Sequence, residues 1–324
     1  IADASHAIEM HDNFAYIVRA EIYLKTEKLD LAYADVKQAI KHNPKSFYAL
    51  RIAGSVYNAR FEYAEAAPCF EKAYTISKLP FDLLNAISSN LLAHKYANCI
   101  KACDKALKTG VLPYLVCVNR AFAQLGMNEY ENAYKDCEEA IKYAKDNELA
   151  LAYASKAITH ASTRRWDECL EYCEKALAID PIFAPALNVR IYGRIALKQF
   201  DDAEADLTLL STLPKTISSV ADLFHYKALL AISKNNKEEA LAFATESNLA
   251  WPGSASRISL FAMALLQAER YSEAIVEFSK AIEIDPLNAE SYWYRSKAHL
   301  ALGNKELSDS DKRIAEKYKY IPFF

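Results

Sequence analysis

Glycine is scarce in this chain, with six residues in 324. A phosphate-cradling loop, a dinucleotide fingerprint or a G-x-S-x-G elbow needs glycine where the backbone turns sharply or approaches a ligand, and none of these motifs occurs. An excess of one charge is also missing. Lys and Arg total 39 against 42 Asp and Glu, a net charge of −3, which gives no electrostatic footprint for duplex nucleic acid or an anionic membrane. No apolar run approaches the length of a membrane span, and no signal peptide is visible. None of the seven histidines lies in a His-Glu-x-x-His helix. The C-x3-C pairs, Cys99 with Cys103 and Cys169 with Cys173, lack a second pair at zinc-finger spacing. Seven cysteines, an odd number, make no disulfide framework. They read as small apolar core residues, and free thiols favour a reducing compartment, here the cytoplasm. No catalytic residue, cofactor or metal site is expected. The acidic pairs Asp167–Glu168 and Asp201–Asp202 stand where second helices start and complement the positive end of the helix dipole.

What the chain has instead is a repeat. A pattern of about 34 residues recurs nine times, clearest in ASRISLFAMALLQAERYSEAIVEFSKAIEIDPLN from Ala255 to Asn288. Copies begin near Asn13, Phe47, Pro80, Tyr114, Ala150, Ala184, Ala221, Ala255 and Ala289. Small residues recur at repeat positions 8, 20 and 27, as in Ala262, Ala274 and Ala281. Position 17 is aromatic in Tyr63, Tyr96, Tyr130, Trp166, Phe200 and Tyr271, and position 32 is proline in Pro44, Pro181, Pro252 and Pro286. The pattern weakens between Leu210 and Val220, and in the last copy Lys305 and Lys312 replace the aromatics at positions 17 and 24. Each copy reads as two helices and a short turn. Positions 4, 7, 8 and 11 share one face of the first helix, and 20, 24, 27 and 28 one face of the second. Proline at 32 ends the unit.

These landmarks resemble the tetratricopeptide repeat. The resemblance covers nearly the whole chain and implies an all-α fold: a right-handed α-α superhelix, a solenoid of about nine helical hairpins with a partial N-terminal unit and a C-terminal capping helix. The expected organisation is a single array over 1–324. It comprises a partial unit at 1–12 and repeats near 13–46, 47–79, 80–113, 114–147, 150–183, 184–217, 221–254, 255–288 and 289–322. Because the chain opens within what reads as the second helix of an earlier unit, residues before Ile1 are expected. The ending reads as a genuine terminus, with the segment KYKYIPFF packing against the final helices.

Positions 2, 5, 6, 9, 12 and 13 of each first helix lie opposite its buried face, and the resemblance makes that face the lining of a concave, peptide-binding groove. In the N-terminal half these positions supply Arg51, Ser55, Asn85, Asn119 and Phe122; in the C-terminal half Asn188, Tyr192, His225, Tyr226, Trp293, Tyr294 and Lys297. An asparagine amide both donates to and accepts from a peptide backbone, so Asn85 and Asn119 are candidates for holding one. Tyr292 is expected in the core, with Trp293 and Tyr294 projecting into the groove as apolar anchors.

The function that follows is a non-catalytic protein-interaction scaffold or adaptor, with a peptide or partner helix in the groove and neither nucleic acid nor a membrane span involved. Alternatives are the repeat array of a larger enzyme or co-chaperone, or a self-associating structural subunit. The family's clamp for chaperone tails is only partly matched by Arg51, Ser55, Asn85, Leu115 and Asn119. Ser55, Leu115 and Asn119 depart from it. A base-reading helical repeat of the RNA-binding kind would need a basic groove.

Overall fold

Small residues in phase allow helices to pack closely, and every one of the register positions is buried in the computed structural model. It describes residues 1–10, 14–214, 217–318 and 320, with backbone only at 9 and 217–219. Position 20 is buried in all nine copies, from Ala32 to Ser308, and so are positions 8 and 27. Where the small residue changes, the packing adapts. Ile87 and Ile191 at position 8 are fully buried. Ser247 at position 27 donates its hydroxyl to the Ala221 carbonyl (3.0 Å), as a buried hydroxyl requires.

All regular structure among the described residues is helical, and it divides into two compact units, 1–124 and 125–324. The first unit holds α1 (Ala2–Glu9), then α2 (Ala15–Lys25) with α3 (Leu29–His42), α4 (Phe47–Ala59) with α5 (Tyr63–Ser77), and α6 (Pro80–Leu92) with α7 (Tyr96–Leu107). Helix α8 (Pro113–Gly126) runs across the boundary, and α9 (Tyr130–Tyr143) opens the second unit. Four further helices of that unit are α10 (Glu148–Ser162), α11 (Trp166–Ile179), α12 (Ala184–Ala196) and α13 (Phe200–Thr212). Then come α14 (Ile217–Ser233) with α15 (Lys237–Ala250), α16 (Ala255–Gln267) with α17 (Tyr271–Ile284), and α18 (Ala289–Ala301) with α19 (Lys305–Lys317). Each position-17 aromatic is the first residue of its second helix, and the helices before Pro44, Pro181, Pro252 and Pro286 stop two residues short of the proline.

The turns are built alike. Position 15 adopts a left-handed conformation in all nine copies, with φ between 56° and 65° at eight non-glycine residues such as Phe61, Arg164 and Lys198, and 80° at Gly303. In eight copies the next amide reaches back five residues to a carbonyl of the first helix, as from Gln199 to Arg194 (2.8 Å). That bond closes a helix end through a left-handed residue. Glycine is the residue suited to this conformation, yet only the last copy has it. Pro68, in the interior of α5, cannot donate to the Ala64 carbonyl. The Lys95 ammonium donates to that carbonyl instead (3.1 Å).

Buried ion pairs join first and second helices. Arg19 meets Asp35 with two bonds (2.7 and 2.8 Å), Arg190 meets Asp206 (3.0 and 2.7 Å), and Arg295 meets Asp311 (2.7 and 2.7 Å). In each pair the arginine is at position 7 and the aspartate at position 23. The carboxylate of Asp35 holds the Arg19 guanidinium above its ordinary pKa through the hydrogen bond.

Candidate functional site

In the first unit, the expected groove residues are largely occupied by the protein itself. Arg51 forks onto Asp82 (2.6 and 2.9 Å), and Asp82, fully buried in the first turn of α6, also accepts from Ser77 (2.8 Å). The guanidinium is therefore spent on an inter-helix contact. Ser55 donates to the Arg51 carbonyl one turn back (3.2 Å), and Asn119 donates its side-chain amide to Leu115 of its own helix (2.8 Å). Asn85 and Phe122 are half-buried. The inner positions of this unit also expose large apolar rings: Phe14 and Phe81 at position 2 are 56% and 60% exposed.

The second unit carries the better-formed site. A cavity of about 560 Å³ opens along the inner faces of α10, α12, α14 and the start of α18. Ile158, Ala161 and Ser162 of α10 supply one wall; Asn188, Val189 and Tyr192 of α12 the next; Tyr226 of α14 and Glu290 of α18 the far side. All are at inner-face positions of their copies, as 100° of rotation per residue dictates. Tyr130 enters from the start of α9, Arg164 from the turn before α11, and Tyr318 and Tyr320 from the segment after α19. A second cavity, of about 240 Å³, shares Tyr192, Tyr226 and Glu290 and reaches His225 and Met263.

The polar groups of this site are few and constrained. Arg164 donates to the Tyr192 hydroxyl (3.4 Å), and burial pushes that hydroxyl up to about 12. Asn188 donates to Asp222 (3.3 Å), and Asp222 also pairs with Arg257. The Asn188 Oδ1 is buried and has no hydrogen-bond partner, so it is an acceptor available to a ligand N–H. Burial raises the pKa of the Tyr226 hydroxyl and the Glu290 carboxyl, with Arg164 opposing the shift at Glu290. Burial, and then Arg257, pushes His225 down to about 3, so its ring is neutral. No group of three or more metal-ligating side chains occurs among the described residues.

The structure thus brings Asn188, Tyr192, His225 and Tyr226 around one site, while the end of the array departs from expectation. Tyr294 is buried, 4% exposed, its ring stacked on Phe278 of α17 at 6.4 Å. It does not project into a groove, because the Phe278 side of α18 is the one that closes the core. Tyr292, expected in the core, is half-buried and tilts against Tyr318 (6.3 Å). Trp293 is half-buried beneath Tyr320, with ring centres 6.0 Å apart. Lys297 is exposed, its ammonium 5.7 Å from the Trp293 ring and 5.0 Å from that of Tyr294. Of the segment KYKYIPFF, Lys319 and Ile321–Phe324 fall outside the described residues.

Arg164, Glu290 and Tyr320 are the contributors that sequence reasoning missed. Glu290 had a legible signal: an acid at position 2, where Phe14, Tyr48, Phe81 and Leu115 stand in other copies. Arg164 is a turn residue and carried none.

Comparison with known proteins gives a consistent assignment. The model of the tetratricopeptide repeat protein 21 C-terminal ARM domain matches residues 1–113. Tetratricopeptide repeat models match residues 114–147 and 263–303. A DnaJ homolog subfamily C member 7 homolog of Schizosaccharomyces pombe is 25% identical over 192 residues, 59% of this chain and 36% of that protein. U-box domain-containing protein 70 of Oryza sativa subsp. japonica is 23% identical over 193 residues, 59% of this chain and 23% of its own length. The chain therefore spans about a third or less of these curated relatives. Among solved structures, a tetratricopeptide repeat protein from Parabacteroides merdae superposes with a TM-score of 0.62 at 14% identity, covering 78% of this chain and 98% of that one. At that identity the likeness is one of fold.

Proposed function

This chain belongs to the tetratricopeptide repeat family, and on that premise we propose that it is a non-catalytic protein-interaction scaffold whose second unit takes a peptide or a partner helix into its inner groove. The carrying observation is the cavity of about 560 Å³ walled by successive first helices. It combines aromatic rings with one unpartnered amide oxygen, that of Asn188. Mostly apolar walls with a few fixed polar groups are what small binding sites present, and tyrosines supply contact area at low entropic cost. We treat residues 1–324 as one repeat array, and we place the protein in the cytoplasm on its seven cysteines, none of which is in a disulfide. Among the described residues no helix is long and apolar enough to cross a membrane.

A display library of random peptides tests the groove. Peptides selected on the full chain are expected to bind the Tyr192→Ala/Tyr226→Ala variant at least about tenfold more weakly, a loss of about 1.4 kcal/mol. Indifference to the double substitution would show that the ligand sits elsewhere. A role for Asn85 and Asn119 in the first unit is a separate proposal. Replacing both with Ala is expected to weaken partner binding with little change in melting temperature.

The second reading is the repeat array of a larger protein. It is favoured by the share of the relatives' length that aligns, 36% of the fission-yeast DnaJ homolog and 23% of the rice U-box protein. Against a chaperone-tail clamp in the first unit stands the engagement of Arg51 by buried Asp82.

A further inference from the structure

The groove of the second unit already holds a side chain. After α19 the backbone folds back, and the Tyr320 amide donates to the Ala315 carbonyl (3.1 Å). Its ring packs against Trp293 (6.0 Å), and its hydroxyl donates to Glu290 Oε1 (3.2 Å). That places an aromatic ring on an apolar wall and a hydroxyl on a carboxylate in a single side chain. Tyr320 fills only one end. The cavity continues past it along Tyr192 and Tyr226.

The chemistry of this end is selective. A lysine or arginine in place of Tyr320 would pair with Glu290 but bring no aromatic ring to Trp293. An acidic or phosphorylated residue would be placed against the Glu290 carboxylate. Phenylalanine would leave Glu290 without the hydroxyl. A tyrosine satisfies the ring and the acceptor together.

We propose that this groove is a tyrosine-recognition site, kept filled by the chain's own Tyr320, and that a partner segment enters by presenting a tyrosine hydroxyl to Glu290 and its ring to Trp293. The inference rests on the groove reading above and adds the partner's chemistry and its competition with an internal occupant. An occupant tethered by so short a segment acts at an effective concentration of the order of millimolar, so a ligand added in solution binds the intact chain weakly.

The test uses a fluorescent peptide of residues 317–324, acetylated and amidated, with full-length chains in an anisotropy titration. Tyr320→Ala is expected to bind it at least tenfold more tightly than the unaltered chain. Adding Glu290→Gln to Tyr320→Ala is expected to abolish most of the gain, and the same peptide with alanine in place of its Tyr320 is expected not to bind. Tyr320→Phe keeps the ring and so the packing on Trp293. It is expected to gain a few-fold, which keeps the test decisive if Tyr320→Ala unfolds by circular dichroism. Equal binding by the unaltered chain, Tyr320→Phe and any folded Tyr320→Ala overturns the proposal, as does indifference to Glu290 or to the peptide's tyrosine. If library-selected peptides still bind the groove in those circumstances, this proposal falls and the groove reading stands. If no peptide depends on Tyr192 and Tyr226, both readings fall.

Discussion

Single side chains in this protein are committed to holding helices together before they are available for anything else. Arg51 is the clearest case: a basic residue at an inner position becomes a structural partner of Asp82, which is 0% exposed. Asp206 does the same work for two arginines, accepting from Arg190 and from Arg194 (2.6 Å). Asp206→Ala removes the buried carboxylate that both guanidiniums share, leaving Arg190 with Glu174 and Arg194 with the Asp202 carbonyl, and is expected to destabilise the second unit by up to about 3 kcal/mol, the lower end of the cost of breaking a buried pair. Urea unfolding followed by circular dichroism reads this. His225 makes a pH prediction. Its folded pKa, about 3, lies below the ordinary 6.5, so the unfolded chain takes up the proton first as pH falls. Its contribution is therefore complete above about 6.5 and is lost as pH drops toward 3, at up to about 1.4 kcal/mol per pH unit. His225→Leu is expected to show a shallower acid limb than the unaltered chain in urea titrations between pH 7 and 4. The ion pairs were legible in principle, as an Arg at position 7 answered by an Asp at position 23. The depressed imidazole was not, because burial and the approach of Arg257 are tertiary facts.

At the level of the helical hairpin, packing and turn chemistry both favour glycine, and the chain supplies it at only some of those positions. Gly54 in α4 faces the Phe70 ring, and a Cβ there would lie 2.7 Å from it. Phe70 is 1% exposed and has no room to retreat. Gly54→Ala is thus expected to cost about 1–3 kcal/mol through overpacking, seen as a lowered melting temperature of the full chain. The turns favour glycine too, but mostly lack it. Lys198 sits at φ 59°, a conformation that costs an L-residue roughly 1–2 kcal/mol and glycine nothing, against an entropic penalty for glycine of about 0.5–1 kcal/mol. Lys198→Gly is expected to stabilise modestly, by about 0.5–1 kcal/mol on the same scale, in the same melting experiment. Helix starts and stops were readable from the aromatic at position 17 and the proline at 32. The left-handed turn was hidden, since eight of its nine residues are not glycine. The five-residue back-bond enforces the geometry there, whichever residue occupies it.

Across the whole molecule the repeat positions generate the surfaces on which function is proposed. Each unit keeps its small residues inside, and its first helices are left with an inner face that no hairpin partner needs. In the second unit that face becomes a cavity because Tyr192, Tyr226 and Glu290 from three separate helices point into it together. Asn188, Tyr192, His225 and Tyr226 were legible as inner-face residues because a helix advances 100° per residue, which assigns a direction to every side chain once the register is known. Tyr294 was misplaced by the same rule, because the Phe278 ring on a neighbouring helix claimed it. The amino-acid sequence alone determined the family, the all-helical architecture and the buried register, since these follow from local periodicity and side-chain size. Only the tertiary structure decided that Arg51 is spent on Asp82 and that Tyr320 returns to Glu290, because these contacts join residues about 30 positions apart whose meeting depends on how successive helices stack.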